Sequence, residues 1–121
     1  MDQKNFSKPL SLAKVQVTDA FWKKEMELVR TEVIPYQWNA LNDNVLGAAP
    51  SFCMRNYRRA GEVEKERKAK GDKFVQIKYP LDTFETLPKD GKMDGRFYGF
   101  LFQDTDFTKW VEAVAYSLTQ H

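Results

Sequence analysis

The sequence predicts an all-α chain, and three observations carry that reading. Trp22, Met26, Val29 and Val33 recur at intervals of four, three and four, the spacing that puts side chains on one face of a helix. Phe107, Trp110, Val111, Val114 and Leu118 fall at i, i+3, i+4, i+7 and i+11, a second and clearer amphipathic helix. Three Trp, five Tyr and nine Phe in 121 residues are a heavy aromatic load, which calls for ordered packing rather than a disordered chain.

Leu10 to Val17 alternates loosely and reads as a short extended lead-in. Thr18 or Asp19 then offers an oxygen to the free N–H groups of a following turn, so the spacing predicts a helix over about 19–42. Pro35 removes the hydrogen bond to the carbonyl of Thr31, which predicts a kink or break before Tyr36-Gln37-Trp38. Asn42-Asp43-Asn44 and Gly47 supply turn chemistry to end it. A second helix is expected within 51–70, anchored by Phe52, Tyr57 and Ala60 before a wholly polar, solvated run. Residues 61–95 read as an insertion over the surface, with KFVQIKYP favouring a strand and PLDTFETLPKDGKMDG a loop. The last helix follows GRFYGFLFQ, with Asp104 and Asp106 as acidic caps. Its aromatic faces are easier to bury against further helices than within a three-helix bundle, and the sequence stops at His121 with no returning element, which suggests truncation.

Length and composition set bounds on function. With 121 residues and 42% hydrophobic content, one ordinary domain is the ceiling. Nineteen basic and seventeen acidic side chains nearly cancel, so no strong field marks a binder of nucleic acid or of an anionic membrane. A single cysteine, Cys53, excludes an internal disulfide, no secretory leader precedes the first helix, and no apolar run is long enough to span a bilayer. A cytoplasmic protein is expected.

No zinc-ligand spacing surrounds the one His and one Cys, and no metal site is expected in this segment. Cys53 reads as a small buried hydrophobe, whose pKa the neighbouring Arg55 lowers only if the two are oriented together. Paired carboxylates serve glycoside hydrolysis, and Asp104 with Asp106 is the pair on offer. At a helix start, capping and attraction to the positive end of the helix dipole explain them better, and contact with sugar hydroxyls is a middle course. Arg55, Arg58, Arg59, Lys65, Arg67, Lys68 and Lys70 offer contacts to phosphate, diluted by Glu62, Glu64 and Glu66 into the pattern of a solvated helix.

Three segments, VTDAFW, VIPYQWNALND and FQDTDFTKWVEAVAYSL, with SFCMRNYRRAGE as a weaker link between them, resemble the opening of glycoside hydrolase family 127, the β-L-arabinofuranosidases, and its relatives in family 146. The stretch KERKAKGDKFVQIKYPLDTFETLPKDGK departs from the family's pattern. The resemblance implies an (α/α)6 barrel followed by β-sandwich domains, with residues 1–121 forming only the first helices of the catalytic domain. It further implies a retaining mechanism in which a cysteine thiolate, held in a zinc site of cysteines and a glutamate, is the nucleophile, and a second glutamate is the acid/base. Those residues lie downstream, so the resemblance assigns no catalytic residue and no metal ligand to this segment, Cys53 is not the nucleophile, and His121 is structural. The implied partner is an oligosaccharide or glycopeptide containing L-arabinose. Two other readings stand beside it: a relative acting on a branched acid sugar of pectin, and a non-catalytic helical module that binds through Trp22, Trp38 and Trp110.

Overall fold

Asp19 opens the first helix. Its backbone is extended and its carboxylate accepts the N–H of Trp22 at 3.0 Å, so of the two cap candidates it is Asp19 that serves. The computed structural model describes residues 7–75, 92–100 and 102–120; no strand forms among them, and none of their helices is long and apolar enough to cross a membrane. Helix α1 (Ala20–Leu28) runs into a π turn (Val29–Val33) and on into α2 (Ile34–Leu41). The expected break at Pro35 is absent. A regular α turn would drive the proline ring against the carbonyl of Thr31. The wider turn avoids this: the N–H of Ile34 reaches back five residues to the carbonyl of Val29, and Ile34 keeps helical angles (φ −61°, ψ −48°) directly before the proline. The lead-in also differs from a plain extended run, since Leu12–Lys14 forms one 3₁₀ turn between extended residues.

The end of α2 is a polar closure. The Oδ1 of Asp43 (φ 61°) accepts from the N–H groups of Ser51 at 2.6 Å and Phe52 at 3.0 Å, folding residues 44–50 into a loop tied at its neck. Phe52, also in the left-handed region (φ 59°), delivers the chain into α3 (Cys53–Lys70). This helix lies within the 51–70 span in which one was expected, and residues 61–70, also counted with the insertion, are its second half. Gly61 alone does not stop it, and ion pairs brace its exposed turns: Arg59 with Glu62 and Glu66 (3.1 and 3.3 Å), Arg67 with Glu64 (2.7 Å), and Lys70 with Glu66 (3.5 Å). The hydrogen bond from Arg67 holds the Glu64 carboxyl down at about 2, so this pairing persists until the solution is strongly acid. A 3₁₀ turn at Gly71–Lys73 follows, and the strand and loop expected over 76–91 lie outside the described residues.

α4 (Gln103–Leu118) packs antiparallel to α2: Trp110 meets Ile34 and Trp38, while Asp106 lies nearer Leu41. The Trp110 indole N–H donates to the carbonyl of Ile34 at 2.9 Å, and its ring lies 4.6 Å from that of Trp38 and 6.2 Å from that of Phe107. Phe107 in turn meets Tyr57 of α3 at 5.0 Å, so one aromatic series joins three helices. Val111 and Leu118, also on the anticipated apolar stripe, remain exposed.

A second set of contacts closes residues 94–99 onto α3 and the start of α4. The Gln103 side chain, buried between them, donates to the carbonyl of Ser51 and accepts from Asn56 Nδ2 at 3.5 Å. Asn56 spans to the next segment, donating to the carbonyl of Tyr98 at 2.7 Å and accepting its N–H at 3.3 Å. Arg55 donates to the carbonyls of Asp94 (2.7 Å) and Arg96 (2.9 Å), with its guanidinium 4.9 Å over the Tyr98 ring, and Arg59 reaches the carbonyl of Gly95 at 2.7 Å. Gly99 sits at φ 91°, and a β-carbon there would collide with the Gln103 amide. Irregular backbone is thereby satisfied by side chains where no ladder exists to do so.

Two outcomes follow. Deleting Thr31 removes the extra residue of the π turn and places Pro35 inside a regular α ladder, at a cost of about 3 kcal/mol; adding Pro35→Ala recovers most of it, and equal melting temperatures for the single and double variants would contradict this account of the turn. Gln103→Leu keeps the volume but strands the Ser51 carbonyl, costing about 1–3 kcal/mol in a denaturant titration.

Candidate functional site

The N-terminal end of α4 is where the candidate residues of the sequence meet a concavity. An open groove of about 460 Å³ lies between α2 and α4, lined by Gln37, Ala40, Leu41, Ser51, Asp106, Lys109, Trp110 and Ala113. Its lining mixes apolar side chains with amide, hydroxyl and charged ones. Trp110 is fixed in place by the hydrogen bond to Ile34, Lys109 is drawn to Glu112 at 3.1 Å, and the Ser51 hydroxyl accepts the N–H of Cys53 at 3.3 Å. Among the described residues, the side chains of Gln37 and Asp106 have no hydrogen-bonding partner, which leaves an amide and a carboxylate free at the rim.

Asp104 and Asp106 do not cap α4. Phe102 occupies the cap position without a side-chain hydrogen bond, and both carboxylates sit inside the first turn, where the helix dipole favours them. Two positions apart on a helix they point to different sides, so they are no acid/base pair. Only Asp106 lines the groove; the carbonyl of Asp104 accepts the Tyr57 hydroxyl at 3.3 Å.

Cys53 is buried at 1% exposure, and its Sγ–H donates to the carbonyl of Gln103 at 3.1 Å. Burial pushes the thiol up, with Asp106 adding to the rise, and Arg55 does not counter it because its guanidinium is turned to the carbonyls of residues 94 and 96. A thiol so held is neither a nucleophile nor a soft metal ligand. Among the described residues no three His, Cys, Asp or Glu side chains gather to hold a metal ion, so they do not fit the zinc that the family resemblance implies. His121 lies outside the described residues. Much of the basic series of α3 is engaged within the chain: Arg55 and Arg59 brace residues 94–96, Arg58 donates to the Asn42 side chain, and Glu62, Glu64 and Glu66 pair with Arg59, Arg67, Lys68 and Lys70.

The sequence reading missed Gln37, Asn56 and Gln103. Amides carry no spacing signal of their own, and only the left-handed Gly99 marks the place of Gln103.

The β-L-arabinofuranosidase GH127 catalytic-domain family matches residues 14–121. A non-reducing end β-L-arabinofuranosidase of Bifidobacterium longum subsp. longum is 30% identical over 107 residues, 88% of this chain, and the match covers 14% of that protein. The chain thus spans about one seventh of the length of the relative it matches. No solved structure matches it. The chain belongs to the GH127 β-L-arabinofuranosidase family and to the catalytic domain of that family.

Proposed function

We propose that this chain is the N-terminal part of the helical catalytic domain of a longer retaining glycoside hydrolase that releases terminal β-L-arabinofuranose from plant glycans or glycopeptides. The observation that carries the reading is the catalytic-domain match over residues 14–121, supported by the activity for which the Bifidobacterium relative is named. The chemistry of this segment agrees with a supporting part: its thiol is buried and protonated, and its two candidate carboxylates face different ways. The nucleophile, the acid/base and the zinc ligands then come from elsewhere in the protein. The segment's own contribution is the scaffold and, at the α2–α4 groove, the Asp106 carboxylate and Gln37 amide, which accept and donate hydrogen bonds to hydroxyls of the glycan. A reducing cytoplasm suits it, since Cys53 is kept as a free thiol.

Hydrolysis of a chromogenic β-L-arabinofuranoside tests this. The full-length protein is expected to turn it over, to stop when zinc is chelated and to recover when zinc is restored, whereas the 121-residue chain stays inactive. Turnover by the short chain would overturn the assignment of the chemistry to other residues, and turnover of a different pectic glycoside alone would move the substrate. Asp106→Asn in the full-length protein is expected to raise KM several-fold while costing no more than about 1 kcal/mol of stability through the lost helix-dipole attraction, because a contact made equally in ground and transition states acts on KM.

A further inference from the structure

We propose that Ser51 is a further glycan-contacting residue of the groove between α2 and α4, a hydroxyl that donates to an oxygen of the bound sugar, and that Asp43 is the residue that positions it. This rests on the glycosidase reading above, in which the groove meets the glycan through Asp106 and Gln37.

The polar groups of Ser51 are nearly all engaged within the chain. A serine offers a backbone N–H, a backbone carbonyl and a hydroxyl that donates once and accepts twice. The N–H goes to the Asp43 carboxylate at 2.6 Å, and the carbonyl accepts the Gln103 amide. The hydroxyl oxygen accepts the Cys53 N–H at 3.3 Å. Among the described residues the hydroxyl proton has no acceptor, and Ser51 is half-buried in the lining of the groove, so the proton is what the residue holds ready for a ligand. It complements Asp106. An ionised carboxylate only accepts and so serves sugar hydroxyls, whereas the ring and linking oxygens of a sugar only accept and need a donor.

The elements that meet at Ser51 bring it beside Asp106. Gln103 is the first residue of α4, and Asp106 lies three positions on, one turn along the same side of the helix. The bond from Gln103 to the Ser51 carbonyl therefore seats Ser51 against the turn that carries Asp106. Asp43, just past the end of α2, holds the other side, since its Oδ1 also accepts the Phe52 N–H at 3.0 Å. Both ends of the loop closed in this way are left-handed residues other than glycine, Asp43 at φ 61° and Phe52 at φ 59°. A phenylalanine in that region is an outlier that its surroundings have to enforce, here by burial against the Tyr98 ring at 5.6 Å, and backbone held so tends to be found where a group has to be kept in place. Ser51, immediately before it, is gripped at both its N–H and its carbonyl.

Kinetics of the full-length protein on the chromogenic β-L-arabinofuranoside read both roles. Ser51→Ala is expected to raise KM about fivefold with kcat unchanged, the size of one hydrogen bond made equally in ground and transition states. Asp43→Ala is expected to raise KM to a similar extent, and to raise it no further in the Ser51→Ala background, because its effect on KM passes through the serine. Its loss of melting temperature recurs in both backgrounds. A KM for Ser51→Ala within about twofold of the wild type would overturn the proposal, and so would KM effects of the two variants that multiply, since a merely structural role lowers stability without this coupling. Asp43→Ala opens the neck of a loop, so Ser51→Ala carries the test by itself if the former does not fold. An inactive wild type would remove the glycosidase reading and this inference with it, whereas an active wild type with an unaffected Ser51→Ala removes this inference alone.

Discussion

Position 35 has no backbone N–H, and much of the structure is arranged around that missing donor. Inside a regular α ladder the proline ring would press on the carbonyl of Thr31, so the turn before it widens and takes up one additional residue. The carbonyl of Ile34, the residue just before the proline, also receives an indole N–H from a helix far along the chain. One hydrogen bond thereby fixes the height of α4 against α2 and the orientation of the Trp110 ring. Trp38, Phe107 and Tyr57 then follow in contact, and α2, α3 and α4 are tied into one series. A local fault in one helix has become the point at which another is registered.

The opposite end of α4 solves a different problem by the same means. Residues 94–99 belong to no helix and no sheet, yet Tyr98 and Gly99 are buried, so their polar backbone groups must find partners among side chains. Asn56 meets both the N–H and the carbonyl of Tyr98, and Arg55 and Arg59 take the carbonyls of residues 94–96. Tyr98 returns its hydroxyl to Asp94, which holds that carboxyl below its usual range. Charged and amide side chains with several donors suit this task better than apolar ones, because a carbonyl left dry and alone costs more than the contact supplies when made. That explains why α3 spends its arginines inward near its start and pairs them with glutamates further out.

Helix existence was legible in the sequence, because it is written in spacing. The Asp19 start, the long α4 and the apolar stripes all follow from the period of 3.6. Three features were not legible, for separate reasons. The π turn changes the count without changing any residue type, so the stripe was followed to Val33 when its continuation lies at Ile34, Trp38 and Leu41. The tail of α3 has almost no apolar residue to announce it, and only pairs at three and four positions, such as Glu64 with Arg67 and Lys68, record the helix. The groove is bounded by residues from two helices and a loop, and Gln37 gains its place there from α4, which is remote in sequence. Asp106 was identified, as a cap or as a contact to sugar hydroxyls; the cap position passed to Phe102 because the helix begins at Gln103, whose side chain is wanted in the interior.

The placement of Cys53 shows how little of the chemistry a residue type carries without its surroundings. In a family where a thiolate is the implied nucleophile, the single thiol of this segment is the obvious candidate by composition. The structure gives it the reverse of what a nucleophile needs. Against the Phe107 backbone N–H, which favours the thiolate, its environment is desolvated, its S–H donates to a backbone carbonyl, Asp106 adds negative charge nearby, and the adjacent guanidinium is turned away. Each of these raises the cost of the thiolate. The same burial makes the residue useful as packing, since a small polarizable side chain fits where the starts of α3 and α4 approach and its weak donor satisfies the carbonyl of Gln103 there. Serine would offer a stronger donor at the price of a shorter reach, and alanine would leave that contact unmade. A thiol at this point is thus explained by the joint it fills.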